Sequence, residues 1–257
     1  MKSAKTPERE ARIRQLAAAL PGLSDSTLDW IARVVAEMAR PHTYTASPGS
    51  DLVNAKFLSD FGDALRMHHC FSEEPFTKDK FEYAMGVILT ASGHPALLAR
   101  KGNPGHDITI DGIPVSLKTQ ADRSIKASEI HISKFMELGK GKWGADVADL
   151  YGLRDQFLKH MHAYDRIFVL RYLAHAGPQR RYELVEVPKA LLQRAGGGDF
   201  TMMTGSRQTP PPGHCRVTEN GQLLFALYFD GGTERKLQII HLLTSECVVH
   251  AEWVFDR

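Results

Sequence analysis

Through the first forty residues, apolar side chains recur every three or four positions. Leu16, Ala19 and Leu20 form an apolar edge ahead of Pro21-Gly22. Leu28, Ile31, Val34, Val35 and Met38 repeat behind Ser24, a residue suited to capping. The spacing predicts two helices, at about 7–20 and 24–40. The stretch 41–50 reads as loop, and short helices are expected within 52–65. Phe81, Met85, Ile88 and Leu89 mark one face of a further helix, running from a Thr77 cap to about Thr90 and stopped by Gly93.

The period shortens to two beyond residue 107. Ile108 and Ile110 precede Asp111-Gly112, and Ile113, Val115 and Leu117 follow it, which is the pattern of a tight hairpin. Alternation along the second strand sets Ser116 and Lys118 on one face and Val115 and Leu117 on the other. A short strand is expected at 129–132, a helix or helical turn at 134–138 and a long helix at 144–162. A buried strand at 167–173 would partner 182–187. Pro188 can open a helix that ends before Gly196-Gly-Gly198. Strands are expected at 222–229, 235–241 and 247–255. Helices interleaved with strands predict an α/β fold with a mixed central β-sheet flanked by helices. One principal domain, 51–257, would follow a helical N-terminal extension, 1–50.

Composition narrows the class. A chain of 257 residues can bury a substantial core. Apolar runs fall well short of the ~18 residues of a membrane span, and the N-terminus lacks the apolar segment of a secretory signal. Cys70, Cys215 and Cys247 are odd in number and far apart, which suits reduced thiols in a cytoplasm better than disulfides or zinc. A net charge of +2 is no signature of nucleic-acid binding, but its distribution is uneven: residues 171–216 carry seven Lys/Arg against three acids. Such a local excess suits a face that grips phosphates.

The sequence lacks a phosphate-binding loop of the GxxxxGK[ST] type and a GxSxG elbow, which argues against a P-loop nucleotide hydrolase and a serine hydrolase. His68-His69-Cys70 reads as structural, because adjacent side chains diverge. The hairpin is different. It carries Asp107 into one strand and Lys118 out along the next, and a carboxylate beside a lysine on rigid strands is a minimal kit for metal-assisted cleavage of a phosphodiester.

That arrangement resembles the PD-(D/E)XK nucleases, the scaffold of many type II restriction endonucleases. Asp107 stands for the first acid of the motif and Lys118 for its lysine. His106 replaces the preceding proline, although Pro104 lies three residues before Asp107, and Ser116 replaces the second acid. Serine is the poorer Mg²⁺ ligand. Longer stretches resemble the SmaI-like branch of these endonucleases: Asn103-Pro-Gly-His-Asp-Ile-Thr-Ile110, Ser133-Lys-Phe-Met-Glu-Leu-Gly-Lys140, Tyr164-Asp-Arg-Ile-Phe-Val-Leu-Arg171 and Phe229-Asp-Gly-Gly-Thr-Glu-Arg-Lys-Leu-Gln-Ile239. The likeness runs from about residue 51 to the C-terminus.

The resemblance implies Mg²⁺-dependent cutting of double-stranded DNA at a G·C-rich palindrome, 5′-CCCGGG-3′ if specificity carries over, with 5′-phosphate products. Asp107 and a backbone carbonyl near Leu117 would hold the metal, and Lys118 would orient or deprotonate the attacking water. The missing acid would come from Glu82, on the helix before the hairpin, or from Glu137 downstream. A homodimer would match a two-fold palindrome, and a cognate methyltransferase would act on the same site inside a prokaryotic cytoplasm. Arg207, Gln208, His214 and Arg216, in the proline-rich stretch 201–216, are the expected base readers. Arg123, Lys126, Lys134 and Lys140 are the expected phosphate contacts. The other readings are a structure-specific or repair nuclease and a DNA-binding protein with a decayed site.

Overall fold

Ser24 accepts the Thr27 backbone N–H and Thr6 that of Arg9, and these caps open the two expected N-terminal helices, α1 (Pro7–Ala19) and α2 (Asp25–Ala39). The computed structural model describes residues 6–100, 102, 105–122, 126–139, 143–173 and 178–257. Neither helix buries a residue. Arg66, itself buried, ties α2 to the rest of the chain through Glu37 and the Arg40 carbonyl.

The stretch expected as loop holds a strand, β1 (His42–Ala46), paired with the last strand of the chain from His42↔Phe255 to Ala46↔Ala251. The N-terminal segment therefore contributes to a sheet as well as to helices. Its partner lies some 200 residues away, so no local signal marks it. Gly62 lets it approach: a Cβ there would stand 2.4 Å from the Tyr44 ring.

One helix, α3 (Ala55–His69), capped by Asn54, replaces the short helices expected near 52–65. Then follow α4 (Lys78–Ala91), β2 (Ala96–Leu98), β3 (Ile108–Ile110), β4 (Ile113–Gln120) and β5 (Glu129–Glu137). The expected helical turn at 134–138 is the end of β5. Irregular pairing with a later strand between Ile132 and Met136 inserts a bulge, so buried Ile132 and Phe135 sit three apart and imitate helical spacing. The order continues through α5 (Ala148–His160), β6 (Arg166–Tyr172), β7 (Gln179–Glu186) and α6 (Lys189–Gln193). The last third is β8 (Asp199–Met202), β9 (Gly213–Glu219), β10 (Gln222–Asp230), β11 (Lys236–Leu243) and β12 (Val248–Asp256).

The central sheet is mixed, as expected: its order is β1-β12-β7-β6-β4-β3-β2, with β4 and β6 parallel. A second, five-stranded antiparallel sheet, β5-β11-β10-β9-β8, was not expected. Two cores result. Phe57, Phe61, Phe81 and Leu89 of α3 and α4 pack on Val115, Leu117, Phe168 and Leu184 of the central sheet. On its opposite face, Ile167, Val169 and Val185 meet Leu153 and Phe157 of α5 and Leu227 and Ile239 of the second sheet. Strand β4 is thus buried on both sides. No described helix is long and apolar enough to cross a membrane.

Candidate active site

Asp111 and Gly112 take positive φ values of 50° and 83°, the geometry of a two-residue hairpin turn, and Ile110 faces Ile113 across it. The turn sets the register that matters. The Asp107 N–H reaches the Val115 carbonyl at 2.9 Å, so the Asp107 side chain arrives where β4 runs past the end of β3. There its Oδ2 accepts from the Leu117 N–H (2.6 Å) and the Ser116 hydroxyl (3.1 Å). Its Oδ1 accepts from the Lys78 ammonium at 2.8 Å, and the same ammonium lies 2.8 Å from Glu82 Oε1. Lys78 and Glu82 are one turn apart on α4, so a single helix face supplies both groups.

Burial alone would raise the Asp107 carboxyl, but the charges of Lys118 and Lys78 and the Leu117 N–H outweigh it and hold it below the ordinary range. Burial likewise opposes the Lys78 charge, while hydrogen bonds to Asp107 and Glu82 carry its pKa upward. Lys118 is the reverse case. Desolvation pushes it down to about 8, against the attraction of Asp107 and with the repulsion of Lys78. Its Nζ lies 5.4 Å from the Phe135 ring centre. Among the described residues its ammonium makes no hydrogen bond.

A cleft of about 440 Å³ opens over this group, lined by Lys78, Asp107, Lys118, Lys134, Phe135 and His160. Among the ionisable groups here, the sequence reading missed two. Lys78 carried a usable signal, its spacing of four from Glu82. His160 carried none: it ends α5, and only folding brings it to Lys118. Its imidazole is held below the ordinary range by burial and by the Lys118 charge.

The fold brings Asp107, Lys118, Glu82 and Ser116 together. Ser116, 1% exposed, stands in the second-acid position but spends its hydroxyl on Asp107. Glu137 is elsewhere: 69% exposed at the end of β5, it pairs with Lys134, which also holds Glu234. No three His, Cys, Asp or Glu side chains gather as a metal cage among the described residues. His68 and His69 bond the Glu74 and Ser72 carbonyls, a structural placement.

The stretch expected to read bases is not one loop. Its ends lie on β8 and β9, and only 203–212 connects them. Arg207 is exposed there and Gln208 donates to Asp230 at 3.1 Å, whereas His214 and Arg216 are strand residues. Lys126 is exposed and pairs with Glu129. Arg123 and Lys140 lie outside the described residues.

A family model described as type II site-specific deoxyribonuclease matches residues 16–255. Over 233 residues the chain is 45% identical to the type II restriction enzyme SmaI of Serratia marcescens, a match covering 90% of each chain. No solved structure matches it. With a family model over nearly the whole chain and a relative this similar, the chain belongs to the SmaI family of type II site-specific deoxyribonucleases and is a restriction endonuclease.

Proposed function

We propose that the enzyme makes Mg²⁺-dependent double-strand cuts at a short G·C-rich palindrome, 5′-CCCGGG-3′, from a PD-(D/E)XK-like core, leaving 5′-phosphates. One observation carries the reading: Asp107 and Glu82 share a cation, the Lys78 ammonium, beside a buried lysine with a depressed pKa.

The donors suit Mg²⁺, a hard ion that takes one or two carboxylates and keeps waters for its remaining positions. Asp107 and Glu82 would supply the carboxylates, with Lys78 withdrawing. The Leu117 carbonyl would be the third donor. The N–H and C=O of one strand residue point to the same side, and the Leu117 N–H is on Asp107. Bound there, the metal supplies positive charge for the scissile phosphate and acidifies a water. Glu137, paired with Lys134 in solvent, is the weaker candidate for the missing acid.

Lys118 does the proton work. With a pKa of about 8, a fraction is neutral near pH 7 and takes a proton from the attacking water. Hydroxide adds to phosphorus, the bond to the 3′-oxygen breaks, a solvent water protonates that oxygen to a hydroxyl, and the phosphate stays on the 5′ side. Once displaced from the two acids, the Lys78 ammonium would steady a non-bridging oxygen. A homodimer would present one such site to each strand of the palindrome, with a cognate methyltransferase protecting the same sequence in the cytoplasm of the host.

The test is digestion of a plasmid holding one CCCGGG site, with Mg²⁺ and with EDTA, followed by sequencing of the ends. One linear product formed only with Mg²⁺ is expected. Uniform nicking would favour a repair nuclease. Binding without cleavage under any divalent ion would favour a decayed site.

A further inference from the structure

The outer face of the five-stranded sheet carries a polar row that catalysis does not use. Tyr228 of β10 faces His214 on β9 and Gln238 on β11, and Gln238 Oε1 meets His131 Nε2 of β5 at 2.9 Å. Four adjacent strands thus place one hydrogen-bonding side chain each in a line. Their sequence neighbours Cys215, Leu227, Leu237, Ile239 and Ile132 point the other way, into the core. The row is braced. His214 and Tyr228 rings lie 5.0 Å apart, and Asp230 receives the Gln238 and Gln208 amides at 3.1 Å each.

Two polar atoms of this ensemble, His214 Nδ1 and Gln208 Oε1, are buried without a hydrogen-bond partner. Exposed Arg216, on the same face as His214, and exposed Arg207 flank the row with positive charge. One strand links the row to the catalytic cleft: β5 carries His131 to the row and, a few residues on, Lys134 and Phe135 to the cleft. DNA with its scissile phosphate at Asp107 would run along β5 and onto this face.

We propose that His131, Gln238, Tyr228 and His214, with Asp230 and Gln208 at the end of the row, form the base-reading surface, entering the major groove as a sheet. This rests on site-specific cutting of DNA, the activity of the family. The chemistry fits base edges. Amide and imidazole N–H groups meet the guanine O6 and N7 acceptors, and the Asp230 carboxylate accepts from the cytosine amino group. Strands reading the major groove are an established mode. Arg207 and Arg216 hold the backbone alongside.

The preferred duplex would first be recovered by letting the wild-type enzyme cut a randomised pool. Binding of wild-type, Gln238→Ala, His214→Ala and Tyr228→Phe to that duplex and to a scrambled one would then be followed by fluorescence anisotropy, with Ca²⁺ in place of Mg²⁺. Gln238→Ala and His214→Ala should each lose about 10- to 100-fold on the preferred duplex. On the scrambled duplex they should change by less than about twofold, because phosphate contacts are untouched. Tyr228→Phe removes one hydroxyl and keeps the ring packing, so it decides the matter if the other two misfold; about fivefold is expected, again on the preferred duplex alone. A preferred site bound equally well by all three variants, or equal losses on both duplexes, would overturn the base-reading face alone. A wild-type enzyme without a preferred site would overturn site-specific cutting as well.

Discussion

Lys118 should make the enzyme less stable than it could be. Its ammonium is buried, and the drop from the ordinary 10.5 to about 8 measures how strongly the fold disfavours the charge. With each tenfold change in the protonation equilibrium worth about 1.4 kcal/mol, the charged form costs about 3 kcal/mol. Lys118→Met keeps an unbranched apolar stem and removes the charge. Asp107 loses one favourable neighbour, which trims the gain, while Lys78, Ser116 and the Leu117 N–H remain on it. The variant should therefore unfold with a free energy about 2–3 kcal/mol higher at pH 7. The pH dependence follows from the sign of the shift. Between the folded value of about 8 and the unfolded 10.5, the unfolded chain binds more protons, so wild-type stability gains from this group as pH rises and the gap should close. Only the difference between the two proteins is diagnostic. The buried thiols Cys215, pushed up to about 11, and Cys247, pushed up to about 12, erode stability above pH 9 in both. Equilibrium unfolding in urea across pH 7–10.5 measures it. A variant no more stable than wild type at pH 7, or a gap that persists unchanged to pH 10.5, would refute the reasoning.

Cleavage by Asp107→Ala should fall on the order of 1,000-fold while DNA binding in EDTA survives, checked by gel shift beside a plasmid assay. Glu82→Gln should cost about 100-fold and Glu137→Gln less than about twofold; the opposite order would move the second ligand to β5. With Lys118 as the proposed base, log kcat/KM should climb with pH and level off near 8, and a profile flat from pH 6 upward would contradict it. Lys78→Gln removes two part-exposed ion pairs from the acid pair, so calorimetric Mg²⁺ affinity without DNA should rise about tenfold. Weaker binding would mean that Lys78 organises the acids instead of competing for them.

The hairpin was legible because its signals are local: Asp111-Gly112 specifies the turn, and alternation from Ile108 to Leu117 specifies the faces. Helices α1, α2 and α4 were legible for the same reason, whereas α3 was expected only as short helices. What escaped depends on distant partners. Strand β1 pairs with the far end of the chain, and the bulge in β5 disguised strand spacing as a helical turn. Strand β9 did alternate, with Cys215 and Val217 inward and His214 and Arg216 outward, but the prolines just before it masked the pattern. Among the site residues, Asp107 and Lys118 could be read from their strands. Placing Glu82 apart from Glu137 required tertiary contacts, since each is merely an acid at some distance from the hairpin until α4 packs against it.

Strand β4 also bears on how such an enzyme could diverge. Val115, Ser116, Leu117 and Gln120 are at most 3% exposed and Lys118 only 9%, so the strand past its first turn residues is largely enclosed. A substitution there has no solvent side on which to be absorbed. Neutral drift should therefore pass this strand by and accumulate where side chains face outward, such as the second sheet and the loop between β8 and β9. A descendant lineage could retarget its cutting through those outer positions while inheriting the cutting strand nearly unaltered.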